Sequence, residues 1–502
     1  MIDSGLGKRR DGRRSPAVSR TSLGEGSESH PLGSSILALR DPATSSSVRR
    51  TKLVVVSNRA PGADADDTRP HVSGLANALE PALGASDGIW LGWSGREEPG
   101  DPALALDAER TPARATFHLR PEWRRHYQDG FCNQALWPLL HSFPSRVRYS
   151  TADWNTYVEV NDVYARFATE LVDHDGVIWV HDYHLLLVAQ SLRTMGYDGA
   201  VGLFLHAPFP EPDVFATLPW GDDLLAAMCA FDLVGFHTDR WADNFRACVR
   251  AAQKTLRVPK ITVHPIAIDP SRFQPRPCAL DGDIARLRNA VGSRRIVLGV
   301  DRLDYAKGIP ERLRAFDRLL AAKPEWHDRV CFVQISVPSR EHVPGYAELR
   351  HEVEALVGRI NGRYGEADWV PVHYLYRSYE PVVLAQLYRE ADVALVTPLR
   401  DGMNLVAKEF VAAQDAENPG VLVLSQFAGA SAELTDAIIT NPYHPDGLAE
   451  DLERALCMSR AERCERYTTL AAAVGRMSPR SWTERFTCQL HGAFRSANDE
   501  VQ

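Results

Sequence analysis

From residue 52 onward the chain is a succession of short, unbroken apolar runs, each cut off by a polar turn and followed by a stretch of helical periodicity. Residues 52–56, 89–93, 177–180, 200–205 and 232–236 form a first series. The runs are continuous rather than alternating, so both faces of each strand are destined for burial, as in a parallel sheet. Amphipathic stretches such as 158–171 and 239–253 lie between them. After a Pro-containing stretch, 265–273, the pattern restarts with runs at 295–300, 330–335, 370–375, 392–396 and 421–424, separated by helical patterns at 309–320, 343–360 and 384–390. Two successive βα arrays predict an α/β chain of two Rossmann-like, doubly wound parallel-sheet domains. The expected boundaries are a tail over 1–50, a first domain over 51–265, a second over 266–478, and a terminal segment over 479–502. The amphipathic part of that segment, 479–494, is expected to pack back on the first domain. Ligands in such sheets bind beyond the carboxyl ends of the strands, so two facing sheets predict a deep cleft.

Composition narrows the function. Net charge is −8, which disfavours a general nucleic-acid binder, since phosphate backbones demand a basic face. No long charge-free apolar stretch predicts a membrane span. Residues 1–50 hold nine basic and five acidic residues with eleven serines, and read as a disordered tail. They lack the apolar core of a secretory signal. The eight cysteines form no C-x-x-C pair, and their scatter reads as a reduced, cytoplasmic protein. Only seven of the 57 basic residues are lysines, so a lysine inside a motif stands out.

The informative positions are those where apolar runs stop. After residue 300 comes DRLDYAKGIP, with Arg302 and Lys307 in the turn leading to a helix that has Pro310 near its start. They can converge on an anion at the helix N-terminus, or sit in a solvated loop paired with Asp301 and Asp304. After residue 398 comes LRDGMNLVAKE, where Gly402 permits a tight turn and the amides of Gly402, Met403, Asn404 and Leu405 form a second anion surface. Glu409 lies one turn into that helix, facing either a sugar diol or solvent. In the first array, WVHDYH and FLHAPFP end two strands. Their His181, Asp182, His184 and His206 are better suited to substrate hydroxyls than to a metal, and no metal is expected. The first strand ends at Asn58 and Arg59, followed by a loop containing Ser73-Gly74 rather than G-x-G-x-x-G. Trp90, Trp93, Tyr127 and Trp137 are either core or a sugar-stacking surface.

The ordered set VVVSNR, SGL, WLGWSG, ALWPLLH, WVHDYHLL, FLHAPFP, GFHT, DRLDYAKGIPERL, PSRE, RINGRYGE, TPLRDGMNLVAKEFVAAQ and NPGVLVLSQFAGASAEL resembles the family-20 retaining glycosyltransferases that make trehalose 6-phosphate. The resemblance runs from about residue 52 to about 490. It implies the GT-B architecture, a nucleotide-glucose donor (UDP-, GDP- or ADP-glucose), glucose 6-phosphate as acceptor, no cofactor or metal, and a homo-oligomer. It also implies roles. Arg302 and Lys307 match the donor-pyrophosphate pair. Asp401 and the Gly402–Leu405 amides match the loop holding donor sugar and phosphate, and Glu409 matches the carboxylate on the donor ribose. His206 matches the histidine on the transferred glucose, Asp182 a carboxylate near the reacting sugars, and Gly74 a glycine approaching the donor. Arg59, Trp137 and Arg340 match the acceptor site, to which Tyr127 and Gln128 also belong. In this family retention is explained by front-face attack, the leaving phosphate taking the acceptor proton.

Two departures stand out: Ser73-Gly74 replaces a Gly-Gly, and Gln128 stands where a tyrosine usually follows another tyrosine. Gln128 keeps open a different phosphorylated acceptor, such as a glycerol or cyclitol phosphate. A catalytically silent relative is disfavoured because Arg302, Lys307, Asp401 and Glu409 are all present. A pyridoxal-phosphate-dependent glucan phosphorylase is disfavoured because the only lysine beyond Lys323 is Lys408, inside the DGMNLVAKE block.

Overall fold

The computed structural model describes residues 49–62, 76, 79–80, 83–84, 86–252, 256–274 and 281–499. The tail before Arg49, Ser73 and Gly74 lie outside the described residues. The strands fall into two sheets. The first contains β1 (Thr51–Arg59), β2 (Ile89–Glu97), β3 (Ala105–Asp107), β4 (Ala113–Leu119), β5 (Val172–His181), β6 (Ala200–Phe204), β7 (Leu233–Phe236) and β8 (Lys260–Val263). Their order is β3-β4-β2-β1-β5-β6-β7-β8, parallel except for the β3–β4 pair. The second contains β9 (Arg295–Arg302), β10 (Val330–Val337), β11 (Val372–Leu375), β12 (Val393–Val396), β13 (Val421–Ser425) and β14 (Ile438–Thr440). Its order, β11-β10-β9-β12-β13-β14, is fully parallel and is that of a dinucleotide-binding fold.

Every residue of β6, β7, β12 and β13 is buried, which is what the unbroken apolar runs require. Four strands were not foreseen. β4 alternates buried and half-buried residues because one of its faces is wetter, so a search for continuous apolar runs passes over it. β3, β8 and β14 have three or four residues each, too few to show a period. A π-helical segment, Arg124–Leu136, was also unforeseen; such wide turns are rare and often mark functional sites.

The helix Pro479–Asp499 lies across β6 and β7 of the first sheet. Trp482, Phe486 and Leu490 are fully buried at a spacing of four, one stripe of the helix. The Phe486 ring stacks on Trp179 at 4.5 Å, and Trp482 meets Phe204 edge-on at 4.9 Å. No helix among the described residues is long and apolar enough to cross a membrane.

Candidate active site

Strand order reverses between β1 and β5 in one sheet and between β9 and β12 in the other, and a crevice opens at such points. The chain leaves β1, β5 and β6 through Arg59, Asp182 and His206, and leaves β9 and β12 through Arg302, Lys307 and Asp401. The two groups meet. A Cβ on Gly402 would lie 1.8 Å from the carbonyl oxygen of His206, so only glycine lets these backbones touch. The indole of Trp241, from the first half, donates to the Gly402 carbonyl at 3.1 Å. Gly308 is left-handed, with φ 65°, and a Cβ there would lie 2.2 Å from the Thr397 carbonyl. The turn carrying Lys307 is thereby held against the end of β12.

The second-sheet side is built from buried charges. Lys307 Nζ lies 2.5 Å from Asp401 Oδ2, and Asn404 Nδ2 donates to the same oxygen at 3.1 Å. Burial pushes the Asp401 carboxyl up, but Lys307 outweighs it and holds the group below the usual range. Beneath them the fully buried Arg312 pairs with Asp301 at 2.7 Å, donates to Thr397 Oγ1 at 3.0 Å, and donates to the Lys307 carbonyl at 2.8 Å. Arg302 is exposed at the lip, its guanidinium 5.6 Å from the Trp137 ring centre. Asn404, at φ 80°, caps the helix Leu405–Ala413 by accepting from the Ala407 amide at 3.3 Å. One turn on, Glu409 accepts from the Tyr388 hydroxyl at 3.1 Å, and burial without a cation pushes its carboxyl up to about 7.

A second knot lies where the halves join. Arg340 donates to Asp304 at 3.0 Å, to the Tyr346 hydroxyl at 2.5 Å and to the Tyr183 hydroxyl at 3.0 Å, and its guanidinium lies 4.0 Å over the Trp137 ring. Asp304, fully buried, also accepts from Trp137 Nε1 at 3.4 Å and the Ala306 amide at 2.9 Å. Burial works against its charge, but Arg340, Arg302 and Lys307 together hold its carboxyl low.

On the first-sheet side the histidines are neutral. His206 Nε2 lies 3.1 Å from His181 Nδ1, and burial pushes the His206 imidazole down to about 3. Asp182 has φ 71° and ψ 173°, strain of the kind found at functional sites. Its Oδ1 accepts from the His206 and Ala207 amides, both at 3.2 Å, and burial raises its carboxyl to about 6. Arg59 sits half-buried at the end of β1, 5.7 Å from the Trp93 ring centre.

A family model described as glycosyltransferase family 20 matches residues 47–492. The chain belongs to glycosyltransferase family 20. It is 41% identical over 468 residues to a trehalose-6-phosphate synthase of Cronobacter sakazakii, covering 90% of this chain and 98% of the relative. Among solved structures it superposes at a TM-score of 0.84 on an α,α-trehalose-phosphate synthase (UDP-forming) of Burkholderia vietnamiensis, with 40% identity over 89% of this chain and 98% of the other. A Burkholderia xenovorans enzyme of the same description, solved with glucose-6-phosphate, gives a TM-score of 0.82 at 38% identity, over 88% of this chain and all (100%) of the other. The two-sheet fold is accordingly the GT-B fold, and the protein is a glycosyltransferase.

In this candidate site the structure gathers Asp182, His206, Arg302, Lys307, Trp137, Arg340, Asp401 and Gly402–Leu405 around the contact line, with Glu409 deeper in the second half. Lys307 pairs with Asp401 rather than with the Asp301 or Asp304 of its own turn, which serve Arg312 and Arg340 instead. Tyr127 is placed differently from a ligand-touching residue: it is fully buried and its hydroxyl donates to Asn58 Oδ1 at 2.8 Å. Gln128 is half-buried, and its Oε1 accepts from Asn58 Nδ2 at 2.9 Å. Both therefore reach the cleft by way of Asn58. Among the described residues no group of three or more His, Cys, Asp or Glu is placed to hold a metal ion. Sequence reasoning missed Asp304, Tyr183, Tyr346 and Asn58 as parts of the site. Asp304, Tyr183 and Asn58 lie in strand-end motifs, but their partners lie far away in sequence, and Tyr346, six residues from Arg340, lies in no motif.

Proposed function

We propose that the chain transfers glucose from UDP-glucose to glucose 6-phosphate, forming α,α-trehalose 6-phosphate and UDP with retention at the anomeric carbon. One observation carries this reading: cations stand at two places along a single contact line, Arg302 and the Lys307–Asp401 pair at one and the Arg340–Asp304–Trp137 knot at the other. A two-phosphate reaction needs cations at two places, one for the donor pyrophosphate and one for the acceptor phosphate.

Arg302 and Lys307 take the pyrophosphate, Lys307 turning from Asp401 to the developing negative charge. The amides of Gly402–Leu405 at the helix start stabilise the same charge, and stabilisation of this kind usually supplies most of an enzyme's acceleration. Asp401, relieved of Lys307, accepts from a donor sugar hydroxyl, and Glu409 accepts from the ribose diol. Arg340 and Arg59 hold the acceptor phosphate, with Trp137 beneath the sugar, while Tyr127 and Gln128 set Asn58. The bond from glucose C1 to the phosphate oxygen breaks. The acceptor hydroxyl oxygen bonds to C1 on the same face, and its proton passes to the leaving phosphate oxygen. Asp182 and His206 line that face. The chain's own cations carry the charge, so transfer is expected to proceed in EDTA.

The test is nucleotide release from UDP-, GDP- and ADP-glucose with and without glucose 6-phosphate, the product identified by mass and linkage. UDP-glucose is expected to react fastest and only with glucose 6-phosphate. Release that instead follows a glycerol or cyclitol phosphate moves the acceptor assignment to the reading that Gln128 keeps open.

A further inference from the structure

Beside the reacting centre sits a pair of histidines of which the proposed reaction uses only one. His181 ends β5 and is fully buried; His206 lies two residues past β6 and is half-buried. Their nitrogens, His181 Nδ1 and His206 Nε2, are 3.1 Å apart, and the rings stack at 5.4 Å with 19° between their planes. Burial, followed by the other ring, pushes His181 far down, and burial alone pushes His206 down to about 3, so both are neutral and share a single N–H···N bond. Either His181 Nδ1–H donates, or His206 Nε2–H does.

The surroundings choose between these. If His206 donated, the proton of His181 would sit on Nε2, which is buried without a partner among the described residues. A buried donor in that position loses its hydration and gains no bond in exchange. The indole N–H of Trp179, on a ring 4.5 Å from His181, is likewise buried without a partner. That indole nitrogen is only ever a donor. A second orphan N–H beside it is the unfavourable state, and a lone pair on His181 Nε2 is the favourable one. Phe204 and Trp482 wall His206 with ring centres at 4.9 and 6.3 Å, and His237 Nδ1 is taken by the Ile266 amide at 3.4 Å.

We propose that His181 is a positioning residue that holds His206 in its Nδ1–H form, so that His206 offers the cleft a hydrogen-bond donor for the transferred sugar. The tautomer stands on the pair's own geometry; its use on the sugar rests on the transfer reaction proposed for the cleft. His181 never touches substrate. Without it His206 is free to move its proton to Nε2 and present a lone pair, which repels a sugar oxygen acting as acceptor.

The experiment is long-range 1H–15N NMR on protein labelled in the histidine rings, with the His206 signals assigned by their loss in His206→Asn, together with kinetics of His181→Phe and His181→Asn. Wild type is expected to show His206 protonated on Nδ1 alone. His181→Phe keeps the ring and removes the hydrogen bond; it is expected to mix the tautomers and lower kcat about tenfold, with both KM values changed less than about twofold. His181→Asn, which puts an amide donor where Nδ1–H stood, restores most of kcat, an outcome that a purely packing role does not predict. A wild-type His206 protonated on Nε2 overturns the proposal, whether or not His181→Phe folds. So does a folded His181→Phe enzyme with unchanged kcat. Absence of transfer activity in wild type, with the Nδ1–H form present, sinks the reaction and leaves the tautomer standing.

Discussion

The two sides of the cleft are made of different materials. On the second-sheet side ions are buried in pairs, Lys307 with Asp401, Arg312 with Asp301 and Arg340 with Asp304, and the pairing keeps Asp304 and Asp401 charged despite their burial. On the first-sheet side burial dominates, and the histidines and Asp182 each shift toward their neutral forms. His184 and His206 fall to about 3, and Asp182 rises to about 6. The difference teaches how one cleft handles two chemistries. Phosphates need fixed charge that persists out of water, whereas sugar hydroxyls need donors and acceptors that stay put and do not compete as ions.

The largest effect comes from breaking the charged side. Arg302→Ala is expected to lower kcat/KM by about 10²–10³, as loss of a single charge-stabilising group does, with little change in melting temperature because the side chain is exposed. Lys307→Ala is expected to lower activity as much and also to cost about 3–5 kcal/mol of stability, since it strands Asp401 as a buried, unpaired carboxylate. Kinetics and urea unfolding of the two variants separate these outcomes. Equal stability loss in both would remove the contrast between lip and interior.

An intermediate effect tests Glu409, a second-sheet carboxyl that burial raises with no cation to offset it. Its charged form prevails only above about pH 7, so donor KM should rise several-fold as pH falls from 8 to 6. Glu409→Gln should give a flat profile over that range. A wild-type profile that is already flat would place Glu409 away from the donor.

The smallest effect concerns stability and the neutral histidines. His141 is held at about 4 and His184 at about 3, below the ordinary 6.5. A depressed folded value contributes stability that is fully present above 6.5 and is lost as pH falls toward 3–4. Asp182 and Glu409 work the other way, since their raised values, about 6 and about 7, favour the fold as pH falls through them. With His206 also held at about 3, three imidazoles stand against two carboxyls, each worth about 2 kcal/mol over this interval, so urea unfolding should show a net loss on the order of 2–4 kcal/mol between pH 7 and pH 4.5. Unchanged stability over that interval would mean that these imidazoles protonate freely in the folded protein.

Much of this candidate site was legible in the chain because its main parts are local. DRLDYAKG carries a strand end and the turn before a helix, and RDGMNLVAKE a turn and a helix start, each within about ten residues, and the chemistry of helix N-termini is a property of that arrangement. The knot around Arg340 was not legible. Tyr183 is 157 residues from Arg340, and Trp137 is 167 from Asp304. The resemblance puts Arg340 and Trp137 at one site, but with fifty arginines in the chain the residue pattern alone singles out no partner for Asp304 or Tyr183. Tyr127 and Gln128 stand just ahead of the ALWPLLH motif in sequence, but the π-helical segment that carries them turns their polar atoms onto Asn58.

Hydrophobic periodicity, acting over a few residues at a time, was enough to specify the two parallel sheets, their order along the chain, and the strand ends where polar chemistry collects. Which cation keeps which carboxylate charged, and that His181 lies against His206, was decided only in the folded molecule. Ion pairing and proton position depend on distance and burial in space, and residues from different strands and turns acquire both only when the chain has folded.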